Sequence, residues 1–180
     1  MRSSSKKTVC SIQKECGVCP HVNQDYSFSL TRKHDRELKL LRQAGLLESA
    51  HIYRPIPSPK KLGYRTIFKL AVRKESQSRA KKRFRLGLFQ PGSHQIGPDL
   101  IQCPLHSAPL RNFLKVLSPL LEETELSPFD EEKQTGDLKY LIGRTNQEGS
   151  ALMITWVVTR PVPDILRKLT QEIQKKVCLS

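Results

Sequence analysis

The sequence predicts an α+β fold, an antiparallel sheet of four to five strands with flanking helices, and three observations carry that prediction. Residues 64–72 alternate, with Tyr64, Thr66, Phe68, Leu70 and Val72 on one side and Arg65, Lys69 and Arg73 continuing the other, as in a strand with one face on a core. Residues 138–144 and 151–158 are two further β-prone runs joined by a loop containing Gly149, the pattern of a hairpin. Residues 107–121 and 164–177 instead repeat Leu, Ile and Phe at three- and four-residue intervals, which puts them on one side of a helix.

The remaining elements follow in order. Residues 1–9 read as a disordered basic tail with no apolar stretch behind it, so no secretion signal is predicted. A loop with three cysteines spans 10–20. A helix over 25–44 comes next, capped by Asp25 and ended by Gly45, its polar face carrying Arg32, Lys33, Arg36, Lys39 and Arg42. Pro55, Pro57 and Pro59 enforce an extended connection. After the first strand, a polar loop over 75–82 leads to a second strand over 83–90 with Phe84, Leu86 and Leu88 inward. A short strand is expected over 96–102, a helix from Ser107 that kinks or breaks at Pro119, and a last helix capped by Asp164. The longest apolar stretch, 151–158, has eight residues, against the roughly 20 a membrane helix needs. No membrane span is expected, and with no leader the protein is expected in the cytoplasm.

A chain of 180 residues holds one ordinary domain or two small ones. Its charge is unevenly spread: residues 1–90 carry 21 Lys/Arg and 6 Asp/Glu, a net of +15, while residues 91–180 carry 10 and 11, a net of −1. Solubility alone does not require such segregation, whereas binding a polyanion does, because each neutralised phosphate releases counterions. The expected nucleic-acid surface joins Arg65, Lys69 and Arg73 on the strand face to Arg79, Lys81, Lys82, Arg83 and Arg85 around the loop and return strand. Tyr64 or Phe89 could stack on an unpaired base, or serve the core instead.

Cys10, Cys16 and Cys19 form C-x5-C-G-x-C, and Cys103 stands far downstream before a proline. A redox C-x-x-C pair would leave Cys10 unexplained, and a disulfide framework is disfavoured without a secretion signal. Four thiolates hold either a zinc ion or a 4Fe-4S cluster, and three clustered cysteines plus one distant Cys-Pro lean toward iron–sulfur. Cys178 fits neither site and reads as a free thiol.

The ordered set Cys10-x5-Cys16-Gly17-x-Cys19, a following basic helix, Tyr64-Arg65, Gly87-Leu88-Phe89 with Ser93-His94, Cys103-Pro104-Leu105 and the late hairpin resembles the S-adenosylmethionine-dependent RNA uracil-5 methyltransferases of ribosomal and transfer RNA. The resemblance covers residues 10–175 and departs from the family at Val18 and Pro20, where a second glycine and a glutamine are usual. It implies a 4Fe-4S cluster on Cys10, Cys16, Cys19 and Cys103, and an RNA partner, with ribosomal RNA favoured over transfer RNA. It also implies an iron–sulfur and RNA-binding domain over 10–162, and a helix over 163–180 that leads toward a methyltransferase domain supplied in cis or in trans. The family's glycine-rich cofactor motif, its nucleophile loop and its glutamate base have no counterpart in this sequence. The chain alone is therefore expected neither to bind S-adenosylmethionine nor to methylate RNA, and no catalytic residue is assigned. The alternative is a stand-alone four-cysteine zinc module that binds RNA.

Overall fold

A computed structural model describes residues 10–74, 83–93 and 95–177. Its elements are α1 (Gln13–Cys16), α2 (Tyr26–Gln43), β1 (Ile67–Lys74), β2 (Phe84–Gly87), α3 (Ala108–Glu122), β3 (Leu138–Thr145), β4 (Leu152–Val158) and α4 (Pro163–Lys176). The strands form one antiparallel sheet in the order β2-β1-β3-β4, so the expected α+β class holds with four strands. Residues 96–102 add no fifth strand. Their backbone instead lies along β2, the N–H groups of Gly97 and Leu100 donating to the carbonyls of Leu88 and Leu86 and covering the edge that β1 leaves open.

Alternation in β1 sends Phe68, Leu70 and Val72 into the core, where Phe84 and Leu86 of β2 and Leu141 of β3 meet them. From α3, Leu110, Phe113, Leu114, Leu117, Leu120 and Leu121 pack onto this layer, and Leu169 and Ile173 of α4 complete it. Pro119 neither breaks nor ends α3, which runs on to Glu122. Its missing N–H removes one bond, to the carbonyl four residues earlier, and the turn that begins with it is already the last.

The cap signals divide. The Asp25 carboxylate accepts the Phe28 N–H at 2.9 Å, and Gly45, in left-handed geometry, closes α2 with Leu46 N–H on Leu41 O and Gly45 N–H on Arg42 O. Asp164, expected as the cap of α4, lies inside its first turn and pairs with Arg167, while Val162 takes the cap position. Proline is well suited to that first turn, so Pro163 starts the helix one residue before the carboxylate. The expected tail over 1–9, the loop over 75–82 and Cys178 lie outside the described residues. No helix among the described residues is long and apolar enough to cross a membrane.

A buried polar cluster ties the start of β3 to the chain on either side. The Asp137 carboxylate, only 6% exposed, accepts the Ser127 N–H and hydroxyl at 2.9 and 2.8 Å and Arg160 Nε at 2.6 Å. Burial alone would raise its pKa, but the two Ser127 bonds and Arg160 outweigh burial and hold it below the ordinary value. The charged form is thus favoured in the folded state, so its stabilisation is present above the ordinary Asp pKa of 3.8 and is lost as pH falls through the lower folded value. Asp137→Asn should lower the urea midpoint at neutral pH, by about 1–3 kcal/mol in stability. The gap from the parent should narrow on acidification below the ordinary Asp pKa. A gap unchanged down to the acid limit would mean that Asp137 is not held as the anion.

Candidate metal and nucleic-acid site

The three-cysteine loop is shaped by a single turn of helix. α1 stops at Gly17, whose φ of 67° lies in the left-handed region and whose N–H closes on Gln13 O. A side chain there would also crowd the Pro91 ring, its Cβ falling 3.3 Å from Cδ. Asn23 holds the loop closed, accepting the Cys10 N–H at 2.8 Å and donating to the Gln13 side chain, which in turn donates to Cys19 O. A bond of 2.9 Å from the Gln90 side chain to Glu15 O docks the loop against the chain just after β2.

Cys103 comes from the segment between β2 and α3. It is buried, and its backbone is fixed in a turn where its N–H donates to Leu100 O and its carbonyl accepts the His106 N–H. Burial pushes the Cys19 thiol up; Cys103, Cys16 and Cys10 push the same way by charge repulsion, and Arg65 opposes them. Cys16 and Cys19 also pack against the core cluster that contains Cys103. Among the described residues, no three His, Cys, Asp or Glu side chains are placed as a ready metal cage.

Two further residues neighbour this group: His106, absent from the sequence reasoning, and Arg65, expected there only as part of the strand face. His106 is 2% exposed and packs on Phe68, with Nδ1 lacking a hydrogen-bond partner. Burial, with Arg65 and Arg111 adding to it, lowers its pKa to about 4, so the ring is neutral at physiological pH. Arg65 lies outside β1. Its N–H donates to Leu105 O and its carbonyl accepts the Ser107 N–H, which pairs residues 63–65 with the segment that carries Cys103. Periodicity singled out Arg65 as a strand residue but gave no signal that it or His106 stands beside the cysteines, because that depends on a contact between chain segments about forty residues apart.

The expected basic stripe is divided. Lys69 is exposed, its Nζ 4.7 Å from the Tyr140 ring centre. Arg73 is a correction to the exposed face: it is 7% exposed, paired with Glu131 and bonded to the carbonyls of Val72 and Lys139. Its guanidinium lies 5.3–5.4 Å from the ring centres of Phe89, Phe129 and Tyr140. Phe89 and the 128–131 segment fold over the far half of this strand face, a cover that local alternation cannot reveal. Arg83 donates to the carbonyls of Leu121, Glu122 and Thr124 at 2.7–3.2 Å, closing the C-terminus of α3. Arg85 is half-buried beside a cleft shared with Glu15 and Asp99. Arg79, Lys81 and Lys82 fall outside the described residues.

A different basic feature borders the cysteine loop. α2 buries none of its residues and stands against the proline-rich return segment, leaving a cleft of about 490 Å³ between that segment, α2 and residues 18–22. Lys33, Lys60, Lys61, Arg65, Tyr26 and Tyr64 face it, and no carboxylate is among its lining residues.

This mixed sheet-and-helix domain with a basic cleft has relatives among RNA-modifying enzymes. The homologues of this chain are RNA methyltransferases, among them RNA uracil-5 methyltransferases. It is 27% identical over 159 residues to an uncharacterised RNA methyltransferase of Synechocystis, a match covering 87% of this chain and 33% of that protein. It is 26% identical over 171 residues to the 23S rRNA (uracil(747)-C(5))-methyltransferase of Actinobacillus pleuropneumoniae, covering 89% of this chain and 42% of that one. The crystal structure of the Pyrococcus abyssi tRNA (uracil-54, C5)-methyltransferase, solved with S-adenosyl-L-homocysteine, matches with a TM-score of 0.64 and 25% identity. That match covers 92% of this chain and 36% of the archaeal protein. The chain thus spans about a third of the length of the relatives it matches. No family model matches it.

Proposed function

We propose that this chain is the RNA-binding, cluster-carrying part of an RNA uracil-5 methyltransferase, ribosomal RNA being its favoured substrate. The observation that carries this reading is the match of 87–92% of the chain to one continuous third of proteins of that kind. The segregated charge supports it, since a net of +15 in the first half suits a phosphate backbone.

Cys10, Cys16, Cys19 and Cys103 would hold a 4Fe-4S cluster. Four thiols are the donor set such a cluster takes, and Cys16 and Cys19 pack against the same core cluster that contains Cys103. When bound, the cluster supplies a covalent cross-link between the loop and the turn after β2. The rest follows from the residues themselves: Gly17 and Asn23 shape the loop, the turn at 100–106 presents Cys103, and Arg65 adds positive charge that favours thiolates. Methyl transfer would come from a domain in cis or in trans.

The test uses the whole chain purified without oxygen. A brown protein with a broad visible band should bind single-stranded RNA, with an affinity that falls as salt rises by about 0.7 log units per log unit of salt for each phosphate held. A colourless, zinc-containing protein that binds RNA would establish the zinc module instead. No RNA binding at low salt by an iron-loaded protein would overturn the reading.

A further inference from the structure

The geometry points to a particular RNA site: we propose that the cleft beside the cysteine loop holds an unpaired stretch of RNA. In it Tyr64 stacks on a base while Lys33, Lys60, Lys61 and Arg65 hold phosphates. This rests on the RNA-binding reading above and names where and in what form the RNA is held.

Charge comes first. Four cations face the cleft without a lining carboxylate, and among the described residues none of the four forms an ion pair. Several basic side chains elsewhere are committed: Arg73 to Glu131, Arg83 to the end of α3, Arg160 to Asp137. Cations left unpaired and turned toward one concave surface focus a positive potential there that attracts an anionic occupant.

The aromatic groups specify the kind of anion. Tyr64 is 48% exposed beside the cations, an arrangement that gives a base a flat face to lie on. Tyr26 is held in place, its Oη accepting the Ser58 N–H at 2.7 Å and Lys61 Nζ standing 5.1 Å from its ring centre. A duplex keeps its bases stacked on one another and offers Tyr64 none, whereas an unpaired strand can splay one out.

Shape favours a strand over a free nucleotide. A second cleft of about 620 Å³ runs on along α2 toward Arg54 and shares Tyr26, Leu30, Ser58 and Lys61 with the first. The two make one groove between α2 and the return segment, its far part lined by Asp35 as well as Arg54, so a chain can continue where a mononucleotide would stop. The position also explains why α2 buries nothing on its own: its inner side forms a wall of the groove.

The experiment titrates fluorescein-labelled oligouridylate, single-stranded or annealed to oligoadenylate, with the full chain purified anaerobically. The parent should bind the single strand more tightly than the duplex. Tyr64→Ala should weaken it by about tenfold or more, in the range for loss of one stacked base, while Tyr64→Phe retains binding. Lys60→Ala with Lys61→Ala should lower the magnitude of the salt slope by about 1.4. All three positions are exposed or nearly so, and an unchanged urea midpoint confirms that the fold is kept. If the parent binds but these variants match it in affinity and salt slope, the cleft is not the site, and a loss confined to Lys69→Glu would give the strand face that role. Failure of the parent to bind any RNA would overturn the RNA reading itself.

Discussion

Gly136→Ala is expected to destabilise the domain by about 3 kcal/mol or more, close to the largest effect one added methyl group can have. Gly136 has a φ of 108°, a backbone conformation that L side chains rarely adopt. Space is the second obstacle. An added Cβ would run into the Pro128 carbonyl oxygen and lie 2.8 Å from Phe129 Cα, and both are backbone atoms that no rotamer change can move. The surrounding chain is fixed on both sides: the Phe129 N–H donates to Leu138 O, the Leu138 N–H donates to Ser127 O, and Thr159 donates its hydroxyl to Gly136 O. Relief of the clash would separate the 127–130 segment from the start of β3 and disturb the Asp137 cluster beside it. Gly45→Ala is the internal comparison, with a φ of 70° but nothing within 4 Å of the new Cβ, so strain acts there without the clash. Its urea midpoint should drop by well under half as much. Equal midpoints for Gly136→Ala and the parent would show that the turn rearranges freely.

What the sequence made legible is what neighbours in the chain decide. The core face of β1, the α3 stripe from Leu110 to Leu121, the Asp25 cap and the Gly45 stop all follow from spacing and from one residue's own conformational preference. The errors share an opposite cause. Arg73 alternates as an outward residue, yet Phe89 and Phe129, distant in sequence, close over it, and Glu131 neutralises its charge. Arg65 continues the same alternation but leaves the strand because the backbone of 104–107 captures it first. Residues 96–102 alternate weakly and lie beside β2, but they make only scattered bonds rather than a ladder.

The candidate site divides in the same way. Cysteine spacing picks out four residues without any structure, since metal chemistry constrains their sequence pattern directly. The cleft has no such pattern: Lys33 comes from one helix, Lys60 to Arg65 from an extended segment and the third wall from the cysteine loop, and only the folded arrangement groups them. Arg65 connects the two halves, facing the cleft while its charge acts on Cys19 and His106. Cations that hold phosphate would therefore stand beside thiols that hold metal, and whatever fixes the loop also fixes one wall of the RNA groove.

Cys103→Ser is the variant in which that linkage should be most visible. With the proposed cluster in place, Cys103 closes a loop that starts at Cys19, 84 residues earlier, and by loop-closure entropy a cross-link of that length stabilises a domain by about 4–5 kcal/mol. That is comparable with the whole stability of many small domains, roughly 5–15 kcal/mol, so the variant should be iron-free and close to unfolding at ambient temperature. Part of the loss is independent of metal, because Cys103 is only 9% exposed within the core and a hydroxyl is poorly accommodated there. Cys103→Ala separates the two contributions, since it removes the ligand while keeping an apolar side chain. It too should lose the visible band and most of the cluster's stabilisation. Treating the parent with an iron chelator under reducing conditions should bring its urea midpoint down to that of Cys103→Ala, because the same cross-link is then missing from both. Full iron content in either variant would remove Cys103 from the ligand set. An iron-loaded parent no more stable than Cys103→Ala would show that the four thiols do not tie the loop to the sheet.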